Sequence, residues 1–103
     1  MEEKILATRR NESKDRLFKV ILQLQSIDDC YDFFEDLCTI KEIDDMAQRL
    51  DAAVLLDRGE NYRTIASQVG ISTATISRVS RCLGYGSGGY RKAIDLLQEE
   101  KEK

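Results

Sequence analysis

Hydrophobic residues recur every three or four positions along most of the chain, which is the spacing of one face of an α-helix. A first amphipathic stretch, about Arg10 to Gln25, places Leu17, Ile21 and Leu24 on one side. A second stretch, about Asp28 to Leu37, begins with acidic residues, which favour the positive end of a helix. Proline is absent, and the alternation typical of strands is scarce. The pattern therefore predicts an all-α fold.

The clearest helix start is the segment T-I-K-E, in which Thr39 is placed as the N-cap and Glu42 three residues later. The apolar stripe that follows continues to Gly59, which suits the left-handed position after a helix end. We predict a long helix over about Ile40 to Arg58. Four of the six glycines then form a turn before a last helix, about Tyr90 to Glu100.

The segment between these two helices divides into two short helices joined by a tight turn. Asn61 can cap the first helix, Gly70 supplies the positive φ that ends it, and Ser72 can cap the second. The apolar residues of the segment are spaced to face inward, and they are Ile65, Ala66, Val69, Ile71, Ile76, Val79 and Leu83. Together these features predict a helix-turn-helix over about residues 61–83.

The apolar spacing of the second short helix leaves small polar or methyl-bearing side chains at its start and on its outer side. A helix that enters the major groove uses such residues on base edges, while capping amides and nearby arginines hold phosphates. We predict a DNA-binding surface that comprises Arg63, Ser72, Thr73, Ala74, Thr75, Ser77, Arg78 and Arg81. An ordinary helical hairpin is the alternative interpretation of the same pattern.

The net charge of −3 conceals an asymmetry along the chain. The segment from Arg58 to Lys92 has six basic residues and one acidic residue and so carries +5, whereas the remainder carries −8. A basic segment in an acidic protein is typical of phosphate binding, although a solvated arginine face would give the same count.

The composition argues against several other classes of protein. There is no histidine, no nucleophile with a positioned base and no phosphate-binding glycine motif, so we predict no catalytic residues and no enzyme. Cys30, Cys38 and Cys82 form no C-x-x-C pair, which predicts buried small side chains and no metal site. Neither a signal peptide nor a membrane-spanning run is evident, so we expect a cytoplasmic protein.

Two consecutive segments carry a family resemblance: the run T-I-K-E-I-D-D-M-A-Q-R-L-D-A-A-V-L-L-D-R-G-E and the helix-turn-helix with A-T-I-S-R that follows it. With these segments the chain resembles the Trp repressor family and, within it, the YerC/YecD-type branch. The match is firm from about Thr39 to Leu83. The resemblance implies one domain over residues 1–103 with six helices. It also implies an intertwined homodimer, in which helices over about 10–58 and 90–100 interlock and two helix-turn-helix units reach successive major grooves of double-stranded DNA.

The resemblance also implies a place for an effector. The family sandwiches the indole of tryptophan between two arginines, and alignment puts Arg49 and Arg78 at those places, with Thr39 at a nearby pocket position. A cationic clamp can hold a carboxylate and stack on a ring, which favours a tryptophan-like or other small corepressor. The family has a glycine after the second arginine, whereas this chain has Val79. Its branched side chain should narrow the slot, which counts against tryptophan and leaves the absence of any ligand as the favoured reading.

Two functions remain open at this point. The favoured one is a sequence-specific transcriptional regulator, a repressor by resemblance, that reads a near-palindromic operator. Arg63 aligns with an operator-contacting arginine of the family, but Ala66 stands where a lysine is expected, so the operator should differ. The alternative is a protein-interaction module whose helix-turn-helix no longer binds DNA. Arg63, Arg78 and Arg81 favour the first.

Overall fold

A computed structural model of the protein describes residues 9–102. This part of the chain contains six α-helices and no strand: α1 (Glu12–Gln23), α2 (Ile27–Leu37), α3 (Ile40–Asp57), α4 (Tyr62–Val69), α5 (Thr73–Tyr85) and α6 (Gly89–Glu102). The predicted all-α class and the six helices are confirmed, with ends that differ by a few residues from those expected. Among the described residues no helix has both the length and the apolar character needed to cross a bilayer.

Short polar side chains fix the starts of four helices. In each, the side-chain oxygen of the N-cap residue accepts a hydrogen bond from a backbone N–H of the first turn, over 2.8 to 3.1 Å. These N-cap residues are Asn11 of α1, Ser26 of α2, Asn61 of α4 and Ser72 of α5. The caps satisfy amides that have no partner inside the helix, so the boundaries follow from the local sequence.

The chain consists of two compact units, one up to Thr39 and one from Ile40 onward. In the first unit, neither α1 nor α2 has a buried residue. Several of its large apolar side chains are exposed, among them Leu22 at 79% and Ile27 at 75%. Phe33 and Phe34 are half-buried and meet edge to face, with ring centroids 5.6 Å apart. The described part of this unit, residues 9–39, therefore has amphipathic helices but no buried side chain.

The second unit contains the hydrophobic core. Helix α3 packs against α4, α5 and α6, and α5 also packs against α4 and α6. Among residues 40–101, six side chains are at most 2% exposed: Ala52, Ala53, Ile65, Ile76, Val79 and Ile94. The two alanines lie in α3, and their small side chains let the neighbouring helices approach closely. The core thus fixes α4 and α5 on one long helix.

The expectation that the three cysteines are buried is wrong. Cys30 and Cys82 are exposed and Cys38 is half-buried, and all three are free thiols. Cys30 lies on α2, which buries nothing within this chain. Cys82 lies on α5 beside an open cavity and not in the core. Sequence spacing gives the helical face of a cysteine but not whether another element covers that face.

An ion pair ties the end of α3 to the start of α6. The guanidinium of Arg91 donates to both carboxylate oxygens of Asp57, at 2.7 and 3.2 Å, and to Asp95 at 3.2 Å. The hydrogen bond from Arg91 lowers the pKa of Asp57, and the bond to Asp57 raises the pKa of Arg91. Arg91 was counted in the basic segment, but its charge is matched locally by carboxylates.

This pair makes the stability of the protein depend on pH. The pKa of Asp57 is lowered in the folded state, so its stabilising effect is complete above the unfolded value of about 3.9 and is lost as the pH falls through the folded value. We expect Arg91→Gln to lower the free energy of unfolding at neutral pH, and this loss to shrink in strongly acidic buffer. Urea denaturation of both proteins across that pH range measures the difference.

The neighbouring exposed Lys92 provides a control, since Lys92→Gln removes the same charge from the same helix turn. The free energy of unfolding of the Lys92 variant should differ from that of the parent protein by a small amount, and this difference should change little with pH. A loss in Arg91→Gln that stayed constant from neutral to acidic pH would contradict the assignment.

Candidate nucleic-acid interface

Helices α4 and α5 are joined by a three-residue turn, and each turn residue has a distinct structural role. Gly70 adopts the left-handed conformation, with φ of 82°, and its N–H donates to the carbonyl of Ala66 at 2.9 Å. Ile71 is half-buried and packs against the core. Ser72 then caps α5. The predicted order of glycine, apolar plug and cap is confirmed, and it turns the chain sharply between the two helices.

The two sides of α5 have opposite character. Ile76 and Val79 are buried toward the core. Residues in an α-helix advance by about 100° each, so the opposite side of α5 carries Ala74, Ser77, Arg78 and Arg81, all of which are exposed. Thr73 is exposed at the edge of the same stripe, in the first turn. Five of the eight residues predicted for DNA therefore lie together on the outer surface of α5.

Thr75 is placed differently from these residues. It is half-buried, and its hydroxyl lies 3.0 Å from the Ser72 hydroxyl, which also accepts the Thr75 N–H at 3.1 Å. The two hydroxyl groups are thus engaged in capping the helix. Thr75 borders cavities on the α3 side of α5, so less of it reaches the outer surface than the sequence pattern suggested.

Both helices of the motif carry exposed arginines. Arg63 is exposed in the first turn of α4, and Arg78 and Arg81 are exposed on α5. Arg91, in contrast, is paired with two carboxylates. The basic segment found in the sequence is therefore not uniformly available to an anion. Among the residues that the structure describes, Arg63, Arg78 and Arg81 form no ion pair.

A cavity of about 410 Å³ lies beside α5. Its lining brings together Arg49 of α3 and Arg78 of α5, the two arginines that the family resemblance placed around an effector. The remaining lining residues are Thr75, Val79, Cys82 and Tyr90. Val79 is 2% exposed and forms part of the wall next to Arg78. Thr39, the third predicted effector residue, belongs to the first unit.

Cys82 and Tyr90 were not predicted as part of this cavity. Cys82 could have been found from sequence, because it follows Arg78 by four residues and so lies on the same side of α5. Tyr90 comes from α6, beyond the glycine-rich turn. Its position depends on how α6 packs, and no local pattern gives that.

A second, more polar cavity of about 390 Å³ lies between α3 and the turn of the helix-turn-helix. It is lined by Lys41, Asp45, Gln48, Arg49, Gly70, Ile71, Ser72 and Thr75. Lys41 and Asp45 form an ion pair at 3.0 Å, and the Gln48 side-chain amide donates to the Val69 carbonyl at 3.4 Å. Arg49 and Thr75 border both cavities. No pattern in the sequence indicates this second cavity.

Comparison with known proteins agrees with this architecture. The model of the Trp repressor protein family matches residues 12–98. The uncharacterized protein YerC of Bacillus subtilis strain 168 is 50% identical over 90 residues, which cover 87% of this chain and 86% of YerC.

Two solved structures have the same fold. A TrpR-like protein from Eubacterium eligens is 45% identical, with a TM-score of 0.84 over 86% of this chain and 92% of that one. A protein from Staphylococcus aureus, described as a candidate Trp repressor, is 43% identical, with a TM-score of 0.85 over 88% of this chain and 91% of that one. By sequence and by fold, the chain belongs to the Trp repressor family.

Proposed function

We propose that the protein is a sequence-specific DNA-binding regulator of transcription that inserts α5 into the major groove. The observation that carries the proposal is the exposed stripe of Ala74, Ser77, Arg78 and Arg81, on a helix whose opposite side is held in the core. A rigid helix with small residues and arginines facing outward fits the groove and can approach base edges closely.

The residues of this surface divide by chemistry into two roles. Thr73, Ala74 and Ser77 are short, so they can contact base edges, including the methyl group of thymine. Arg63, Arg78 and Arg81 reach the phosphates, together with the free amides at the N-terminus of α5. Ser72 and Thr75 act mainly through the cap, which orients that N-terminus.

Family membership supports a regulator and, by the description of the Staphylococcus aureus relative, a repressor. We propose repression by occupation of an operator, with the protein acting in the cytoplasm. Ala66, where the family resemblance leads one to expect a lysine, is half-buried on α4. The operator should therefore differ from those that the lysine-bearing members read.

We also propose that the protein is a homodimer in which the two units act as one domain. Helices α1 and α2 bury no residue, and exposed Phe18, Leu22, Ile27 and Tyr31 form apolar surface that water disfavours. Helices α3 and α6 also border an apolar groove of about 530 Å³, lined by Val54, Leu55 and Leu97 among others.

A second copy can cover these surfaces by exchange of helices, as the family resemblance implies. The two α5 helices would then face successive major grooves on one side of the duplex, with centres roughly 34 to 36 Å apart. A two-fold protein recognises a two-fold site, so the operator should be a near-palindrome.

The cavity beside α5 is the place where a small anionic effector would act, because Arg49 and Arg78 both line it. Arg78 also belongs to the exposed stripe, so an occupant of the cavity would orient a DNA-contacting side chain. Val79 forms the wall where an aromatic ring would need room. We therefore propose that DNA binding does not require tryptophan.

The DNA-binding proposal is tested with duplexes that the protein selects from a random library. We expect Arg81→Ala to weaken binding to all duplexes and to reduce the slope of log affinity against log salt by about one unit, since one phosphate contact is lost. Ser77→Ala should change the preference at particular base pairs by about 1 to 3 kcal/mol and leave the slope unchanged. Fluorescence anisotropy at several salt concentrations measures both.

Arg91→Gln serves as the matched control. It removes an arginine from the same basic segment, but the charge of this arginine is already paired with carboxylates. An equal change of slope in the Arg81 and Arg91 variants would contradict the assigned phosphate contacts. If the protein binds none of the duplexes at low salt, the DNA-binding proposal is overturned and the protein-interaction alternative is favoured.

The dimer is tested through its dependence on concentration. If folding and association are coupled, a tenfold dilution should lower the melting temperature, because mass action favours the unfolded chains. Leu22→Glu should shift the protein toward monomer in sedimentation equilibrium, since it places a charge in the apolar surface of α1 and α2 that the second copy would cover. Ser13→Glu is the control: Ser13 precedes Leu22 by nine residues and so lies on the opposite face of α1. A melting temperature independent of concentration would contradict the interlocked dimer.

The independence from tryptophan is tested by calorimetry and by DNA binding. We expect no binding heat when tryptophan is titrated to about millimolar concentration, where even a weak complex with a Kd near 1 mM would begin to form. The affinity for the selected duplex should be the same with and without tryptophan. Micromolar binding, or a tryptophan-dependent gain in DNA affinity, would show that Val79 does not close the site to the ring.

A further inference from the structure

The turn of the helix-turn-helix receives a hydrogen bond from outside the motif. Gln48 of α3 is half-buried, and its Nε2 donates to the backbone carbonyl oxygen of Val69 at 3.4 Å. Val69 is the last residue of α4 and directly precedes Gly70, where the chain turns. The bond therefore links the long helix of the core to the point at which α4 gives way to the turn.

The Val69 carbonyl is a group that needs an external partner. The last carbonyls of a helix have no amide four residues further along to bond them. In α4 the cap uses the Gly70 N–H, which donates to the carbonyl of Ala66. Gln48 thus supplies a donor that the helix itself does not provide, at 21 residues' distance along the sequence.

Apolar packing holds the turn on one side, and the other side borders a cavity. Gln48, Gly70 and Ser72 line the polar cavity of about 390 Å³, so this side of the turn faces open space and not a layer of apolar side chains. Ile71 packs against the core and sets how closely the turn approaches it. The apolar contacts of Val69 and Ile71 with the core have no preferred direction, whereas a directional hydrogen bond also opposes small rotations of the turn.

We propose that Gln48 is a positioning residue that sets the orientation of α5 in the groove, and so determines how well the protein distinguishes its operator from other DNA. This inference rests on the proposed function. Base-edge hydrogen bonds tolerate errors of only a few tenths of an ångström, whereas arginine side chains can follow a displaced phosphate. A small rotation of α5 therefore weakens specific binding more than nonspecific binding.

The test uses Gln48→Met, which keeps the length and helix propensity of the side chain but removes the donor. Affinity for the duplex selected by the parent protein should fall about three- to tenfold, the usual effect of one hydrogen bond. Affinity for an unrelated duplex of the same length and the slope of affinity against salt should remain unchanged. A purely structural defect would lower both affinities in parallel, since it would reduce the fraction of folded protein.

Gln68→Met is the matched control. Gln68 is an exposed glutamine on α4, one residue before Val69. Its replacement by methionine is the same chemical change but leaves the hydrogen bond from α3 to the turn in place. It should retain the parent ratio of specific to nonspecific affinity. Gln48→Ala is a second variant of different volume, and it should show the same selective loss as Gln48→Met.

Amide hydrogen exchange gives an independent measurement on folded protein. Gly70 donates its N–H within the cap, so loosening of the turn in the Gln48 variants should speed its exchange while Ile65, in the core, stays protected. Equal losses on both duplexes, or no loss on either, would overturn the role of Gln48. Failure of the parent protein to bind any duplex would instead overturn the proposed function itself.

Discussion

The contact of two alanines with the helices around them is the constraint on which the arrangement of this protein depends. Ala52 and Ala53 of α3 are fully buried, and so are Ile65 of α4 and Ile76 of α5. Small residues at these positions let the helices approach, and the isoleucines fill the space that remains. Which side of α5 faces outward follows from this packing, because the helix has one buried stripe and the opposite stripe is left exposed.

The features that could be predicted from sequence are those that depend on neighbouring residues. The caps of α4 and α5, the left-handed Gly70 and the buried Ile76 all follow from short-range hydrogen bonding or from the helical repeat. The presence of both Arg49 and Arg78 in the lining of one cavity was expected only from the resemblance to a family. No periodicity in the chain would have brought residues of α3 and α5 to the same place.

The features that could not be predicted depend on contacts between distant segments. Asp57 and Arg91 are 34 residues apart, and the sequence alone counts Arg91 as a free cation. Gln48 and Val69 are 21 residues apart, and a glutamine on a helix surface gives no signal of its partner. The cysteines show the same limit, since helical spacing indicates the direction of a side chain but not what covers it.

The apolar surface of α1 and α2 has a consequence for how such a protein can change over time. In the proposed two-fold assembly, each of these side chains would meet the same patch on an identical neighbour, so one altered codon would modify two contacts at once. A harmful change at Leu22 would thus disturb two contacts of the assembly, and a compensating change elsewhere in the gene would also restore two. Variation in this region should therefore proceed by coupled replacements, and chains from diverged copies of the gene should pair poorly with one another.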